Sequence, residues 1–221
     1  MHRRRCNCKC VYCSLWREKG PVYAVLPALR SLFASGMAAH NCFFSWGGGE
    51  PSILPEFEEC ATAIRKEGYR QYIHTNALRY SPTVADLLQS GDGAVNVSLD
   101  SGTAETYKKV KGVDGFGAVL RTLARYRERA QSPDCIHLKY IIFDTTNRVQ
   151  EIRKFFRVCR DLNIRNVQFS FNFLEKNTGG IHKLSIAAAA FFLVTAHSLG
   201  MNATPFFVDE AELERIKTFV V

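Results

Sequence analysis

The sequence predicts a parallel α/β fold, and three observations carry the prediction. Apolar strand-like runs alternate with amphipathic helical patterns from near the start almost to the end. Nothing between the runs reads as a tight hairpin turn, which leaves crossover connections. Polar or glycine-rich clusters directly follow the runs at Gly47 to Glu50, Thr75-Asn76, Asp100-Ser101 and Asp144 to Asn147. In parallel sheets with helical crossovers, ligands bind at the carboxyl ends of the strands, so these loops are expected on one face.

Taken in order, the first pattern is a helix from Val22 to Met37, with Leu26, Leu29, Leu32 and Phe33 at helical spacing. A strand at Asn41 to Trp46 runs into Gly47-Gly48-Gly49-Glu50-Pro51. A helix near Pro55 to Glu67, a strand Tyr69 to His74 and a helix Pro82 to Ser90 come next. The strand Ala94 to Leu99 precedes a short helix Thr103 to Tyr107, a loop from Lys111 to Gly115, and a helix Ala118 to Ala130. Strand Ile136 to Phe143, helix Arg148 to Leu162, strand Asn166 to Phe173 and helix Ser185 to Leu199 complete the alternation, with a short helix at Asp209 to Lys217. That makes five strands, and only five residues stand before Cys6, so a first strand is short or missing.

With 221 residues, 47% hydrophobic and 23% charged, the composition is that of a folded globular chain and excludes collagen-like and disordered classes. The length suits one domain over residues 1–221, with a cysteine loop at 6–13, a core to about residue 200 and a short extension over 201–221. The net charge of +8 favours anionic partners without choosing among phosphates, nucleic acid and acidic peptides. The start His2-Arg3-Arg4-Arg5 runs into cysteines rather than an apolar stretch, so no secretory signal is read and a cytoplasmic location is expected. Leu184 to Val208 carries no Asp, Glu, Lys or Arg, but polar residues interrupt it, so a buried helix is expected and no membrane span.

Four of the eight cysteines cluster at Cys6, Cys8, Cys10 and Cys13, which points to metal chemistry in a reducing compartment rather than to a disulfide scaffold. Four thiolates would serve a tetrahedral zinc, although zinc sites usually pair separated Cys-x-x-Cys units. Cys6, Cys10 and Cys13 alone have CxxxCxxC spacing, and three thiolates leave one iron of a [4Fe-4S] cubane open to a ligand.

The CxxxCxxC spacing, with Tyr12 just before the last cysteine, resembles the radical S-adenosylmethionine (SAM) superfamily. Gly47-Gly48-Gly49-Glu50-Pro51 looks like the family's GGEP loop, and Thr75-Asn76-Ala77 resembles its "TNG" strand end with Ala77 as a departure. Val97 to Gly112, containing Ser98, Asp100 and Lys111, is similar to the pattern of the peptide-modifying, SPASM-associated branch, with Lys111 where an arginine is commoner. Lys139 and Asn147 match that branch more loosely.

The resemblance implies a partial parallel (βα)6-type barrel holding a [4Fe-4S] cluster and SAM. It implies that Cys6, Cys10 and Cys13 bind the cluster, leaving Cys8 without a role, and that Gly47, Gly48, Gly49 and Glu50 orient the methionine end of SAM. Tyr12 is then expected near adenine, and Thr75, Asn76, Ser98, Asp100, Lys111 and Lys139 around the remainder of SAM. A reductant such as flavodoxin or ferredoxin is implied as partner, with a peptide or protein as the substrate class and RNA or small molecules left open.

Plainer readings stand beside these. The glycines serve any strand-to-helix turn, Glu50 suits a helix N-terminus, Thr75-Asn76 suits turn chemistry, and Asp100 suits the cap of the helix that follows. Lys111 and Lys139 read equally as surface lysines. Two further classes compete with the enzyme: a zinc-bearing basic module that binds nucleic acid, and a relative that keeps the fold and cluster without turnover.

Overall fold

A computed structural model describes residues 5–18 and 24–219. The sought first strand falls on residues of which Arg5 alone is described, and the expected helix start at Val22 lies outside the described residues. In chain order the helices and strands are α1 (Leu26–Ala34), β1 (Phe43–Trp46), α2 (Phe57–Lys66), β2 (Arg70–Thr75), α3 (Pro82–Ser90), β3 (Gly93–Ser98), α4 (Ala104–Lys111), α5 (Phe116–Arg129), β4 (Ile136–Ile142), α6 (Val149–Asp161), β5 (Asn166–Phe171), α7 (Phe173–Thr178), α8 (Lys183–Ser198), β6 (Asn202–Pro205) and α9 (Glu210–Lys217). They form two compact units, one of Met1–Lys9, Cys13–Val97 and Ala118–Ile136, the other of Cys10–Tyr12, Ser98–Gly117 and His137–Val221.

In the first unit β1, β2 and β3 pair in parallel, with Phe43 opposite Arg70 and Gln71 opposite Gly93. Helix α2 buries Phe57, Cys60, Ala61 and Ile64, a run at helical spacing that the sequence displays openly. Complete burial of a Phe or Ile side chain contributes roughly 1.5–3 kcal/mol. The buried Gln71 is fully used: its carbonyl accepts the Trp46 indole N–H at 2.9 Å and its amide donates to the Ala61 carbonyl at 2.9 Å. That pairing sets β1, β2 and α2 against one another.

The second unit carries β4, β5 and β6, again parallel, with His137 opposite Asn166 and Asn166 opposite Asn202. Tyr140, Phe155, Phe156, Phe169 and Phe192 pack ring against ring in its core. The charge-free stretch is explained by α8, whose Ala188, Ala189, Ala190 and Phe192 are buried. Among the described residues no helix is long and apolar enough to cross a membrane.

Three expectations need correction. The described residues hold six strands rather than five, because Asn202–Pro205 pairs with β5. The helix expected to end at Tyr107 continues to Lys111, since Tyr107 and Val110 are both buried on it and Gly112, at φ 65°, ends it. The strand expected to reach Phe173 stops at Phe171, and the Asn172 side-chain Oδ1 accepts from Leu174 N–H at 3.1 Å to cap α7. All six residues of β5 are buried, whereas Phe173 and Leu174 are 67% and 54% exposed.

Candidate cofactor site at the strand ends

In the first unit, the loop after β1 and the end of β2 are tied together by Glu50, which is 1% exposed. Its carboxylate accepts from Ser52 Oγ at 2.6 Å, Ser52 N–H at 3.2 Å, Thr75 Oγ1 at 2.8 Å and Asn76 N–H at 2.6 Å. Burial raises its pKa above the usual carboxylate range, and these hydrogen bonds offset part of the rise. The carboxylate is thus engaged within the protein, capping the short turn Pro51–Ile53 and bracing Thr75 and Asn76.

The same loop grips the cysteine segment. Glu50 N–H donates to the Arg5 carbonyl at 2.8 Å, and Gly49, at φ +135°, lies where a β-carbon would stand 2.4 Å from that oxygen. Gly48, at φ +81°, has open space where its β-carbon would be. Asn76 Nδ2 donates to Asn7 Oδ1 at 2.7 Å and reaches Cys6 Sγ at 3.6 Å, while Cys8 N–H lies 3.5 Å from that sulfur. Two N–H donors on one sulfur suit a thiolate ligand. Cys8 itself is 1% exposed. Ala77, at φ 53°, adopts the left-handed conformation that the family's glycine would supply, so the departure leaves the turn intact.

In the second unit, Asp100 follows β3 at φ 55° and is fully buried. Its Oδ2 accepts from Tyr12 Oη at 2.6 Å and from Lys111 Nζ, and its Oδ1 accepts from Ile141 N–H at 2.8 Å. Lys111, 1% exposed, also donates to Tyr12 Oη at 2.7 Å. Tyr12 titrates well above the ordinary phenol range, because of burial first, then the Asp100 and Cys10 charges. Lys111 is therefore an internal ion-pair partner rather than a surface lysine, and Asp100 is bound to α4's last residue rather than capping its start, where Thr103 sits.

Lys139 is half-buried in β4, with its amine 4.8 Å from the centre of the Phe206 ring. Burial lowers its pKa, Lys111 adds to the effect and Asp100 opposes it. Ser98, the last residue of β3, is half-buried.

Sequence reasoning missed the braces: Ser52 on Glu50, Asn7 on Asn76, and the Lys111 to Tyr12 bond. Only a glutamate among strand-end hydroxyls hinted at them. Cys6, Cys10 and Cys13 are each half-buried, and none of the eight cysteines forms a disulfide. Among the described residues no three His, Cys, Asp or Glu side chains are gathered into a metal-ion position, so the ligand set rests on spacing and resemblance.

Parallel βα units with polar loops at their strand ends and a cysteine segment braced against one of them define a strand-end cofactor protein of the α/β class. The family model described as the radical SAM superfamily matches residues 1–159, and the chain belongs to that superfamily, a class of enzymes whose cofactors are a [4Fe-4S] cluster and SAM. A probable GTP 3′,8-cyclase of Saccharolobus islandicus (strain Y.N.15.51 / Yellowstone #2) is 27% identical over 183 residues, 81% of this chain and 56% of the relative. A GTP 3′,8-cyclase of Haemophilus influenzae (strain PittGG) is 28% identical over 127 residues, 55% of this chain and 38% of the relative.

Among solved structures, native anSMEcpe with bound AdoMet and Kp18Cys peptide matches with TM-score 0.71 at 20% identity, covering 93% of this chain and 62% of that one. Streptococcus suis SuiB bound to precursor peptide SuiA matches with TM-score 0.70 at 14% identity, covering 92% and 47%. The shared fold is the partial radical SAM barrel. This chain thus spans about half the length of the first of these relatives, 56% of it.

Two local features are of the kind these cofactors use. The cysteine segment offers a sulfur already lined by N–H donors, and the Gly48 backbone is open where a side chain would stand.

Proposed function

We propose that the protein is a hydrogen-abstracting enzyme acting on a peptide or protein, with Cys6, Cys10 and Cys13 holding a [4Fe-4S] cluster and the strand ends holding SAM. When bound, these cofactors supply one-electron cleavage of the sulfonium to a 5′-deoxyadenosyl radical that takes hydrogen from substrate. The observation that carries the reading is the brace around Cys6, where the Gly49 and Glu50 backbone clasps Arg5 and Asn76 Nδ2 reaches the sulfur at 3.6 Å.

In this reading each residue has a physical task. Gly47, Gly48 and Gly49 let main chain approach the methionine end, and Glu50 orients it indirectly by locking their loop to Thr75 and Asn76. Tyr12 stands beside adenine, Ser98 and Lys139 meet ribose and carboxylate, and Asp100 with Lys111 holds Tyr12 in place. Exclusion of water and oxygen at the strand ends protects a reactive radical. A reductant of the flavodoxin or ferredoxin kind supplies the electron, and the cytoplasm is the compartment that keeps thiols reduced.

The peptide class draws support from the Val97 to Gly112 pattern and from the peptide complexes of anSMEcpe and SuiB. A second reading, a purine nucleotide substrate, is favoured by the relatives named GTP 3′,8-cyclase. The reading as a zinc-bearing nucleic-acid module loses its ground with the family assignment.

The test is anaerobic reconstitution with iron and sulfide, followed by dithionite and SAM, with 5′-deoxyadenosine release measured alone, with peptide libraries and with GTP. Release establishes the chemistry, and stimulation by peptide or by GTP separates the two substrate readings. A colourless protein that retains zinc overturns both.

A further inference from the structure

We propose that the outer surface of α6 and α8 is a docking face for an acidic polypeptide whose carboxylates are interspersed with apolar side chains. The face belongs to the helices of the second unit rather than to the strand-end loops, so it stands or falls independently of the cofactor reading.

Charge is the first observation. Between Arg148 and Arg165 the chain places six Lys or Arg residues against two Asp or Glu, an excess of four that is half of the whole chain's +8. Arg153, Arg157 and Arg160, with Lys154 beside them, are exposed and recur at helical spacing, which gathers them on one face of α6. Little within the protein answers them. Glu151 turns inward, accepting from Gly102 N–H at 2.6 Å and Thr103 N–H at 3.0 Å, and Asp161 pairs with Arg160 at 3.7 Å. Glu105 of α4 feels Lys154 and Arg148 at a distance, but its carboxylate is already bonded to Lys109 at 2.7 Å. Among the described residues Arg153, Lys154 and Arg157 form no ion pair. Like charges one turn apart oppose helix formation, so the stripe does not serve the fold.

The second observation is what lies alongside. Helix α6 packs on α8, and the Arg153 guanidinium stands 5.6 Å from the centre of the Phe191 ring. From Leu184 onward α8 holds no Asp or Glu, so it brings no carboxylate to the arginines. Leu184 and Val194 share the Phe191 side of that helix and are 63% and 45% exposed.

Together these features select the partner. Guanidinium groups fit carboxylate and phosphate alike. A nucleic acid would neutralise the arginines yet leave Leu184 and Val194 in water. An acidic polypeptide with leucine-like side chains covers both, and the apolar burial adds to the attraction.

The test is fluorescence anisotropy with labelled probes of equal charge: a peptide repeating Leu-Glu-Glu-Glu, polyglutamate and single-stranded RNA. Wild type is expected to bind the leucine-bearing peptide most tightly. Arg153→Glu with Arg157→Glu is expected to weaken that binding by at least about tenfold. Lys66→Glu with Arg121→Glu, at exposed positions of the first unit, makes the same change in net charge and is expected to cost far less. Val194→Asn is expected to narrow the preference for the leucine-bearing peptide over polyglutamate. Unfolding midpoints are measured on every variant, and Arg153→Gln with Arg157→Gln replaces the charge reversal if that does not fold. Equal losses in the two charge-reversed variants show a non-specific charge effect and overturn the inference, as does equal affinity for the two peptides. RNA bound more tightly than either peptide assigns the face to nucleic acid and overturns it too.

Discussion

The Gly49 backbone packs against the Arg5 carbonyl so closely that a β-carbon would stand 2.4 Å from that oxygen. Gly49 also sits at φ +135°, a conformation that side chains other than glycine rarely adopt. Gly49→Ala is therefore expected to lower stability by at least about 2 kcal/mol and to sharply reduce iron uptake. Urea unfolding and iron assay on the same preparation check both effects, and an Ala variant with wild-type stability refutes the clasp.

Glu50 provides a pH test. Its pKa is raised in the fold, mainly by burial, so the folded state holds this proton more tightly than the unfolded chain, whose carboxyl titrates near 4.5. Its contribution to stability therefore grows as pH falls through the raised folded value, levels off below the unfolded one, and is lost again as pH rises. Glu50→Gln should remove that trend while placing an amide donor among existing donors, at a cost of about 1–3 kcal/mol. Unfolding free energy measured against pH for both proteins gives a difference curve whose slope decides the matter.

Lys111→Met leaves the Asp100 carboxylate buried without its cation, and a loss of roughly 3–5 kcal/mol is expected. Combining it with Asp100→Asn removes the stranded charge, so the double variant should be less destabilised than the sum of the two single ones. Additive losses in chemical denaturation would show that the pair is not coupled.

Ala77→Gly relieves a left-handed alanine, a gain of about 1–2 kcal/mol, but gives up a buried methyl group and adds unfolded-chain freedom of similar total size. The expected change is within about 1 kcal/mol of zero. Ala77→Val places a branched side chain at φ 53° in a fully buried site and should lose well over 2 kcal/mol. Thermal midpoints of the two variants distinguish this account from one in which residue 77 is conformationally indifferent.

The cysteine roles separate cleanly. Cys10→Ala is expected to abolish cluster binding and Cys8→Ala to leave it nearly intact, as judged by iron content and absorbance after reconstitution. Loss of iron in Cys8→Ala alone would show that the ligand set is different.

Much of this was legible in the chain itself. Helix α2 and strands β2 to β5 announce themselves by periodicity, and the strand-end loops carry their glycines, hydroxyls and carboxylates in plain view. Strand β6 does not, because Asn202-Ala203-Thr204-Pro205 has neither alternation nor branched residues enough to signal a strand, and its pairing depends on β5. The partners of Glu50 and Asp100 were equally hidden. Thr75 lies 25 residues from Glu50 and Tyr12 lies 88 residues from Asp100, and only the parallel topology brings such positions together. Lys111 looked like one basic residue among many because burial is not written in composition.

The step at Asn172, from a wholly interior strand to a solvent-facing turn of Phe173 and Leu174, separates what the fold needs from what its surface shows. Substitutions at Phe173 and Leu174 alter what the molecule displays there while leaving the packing of β5 untouched. Change at these two positions carries little penalty to folding, so the exposed edge can be rebuilt without disturbing the strand that leads to it.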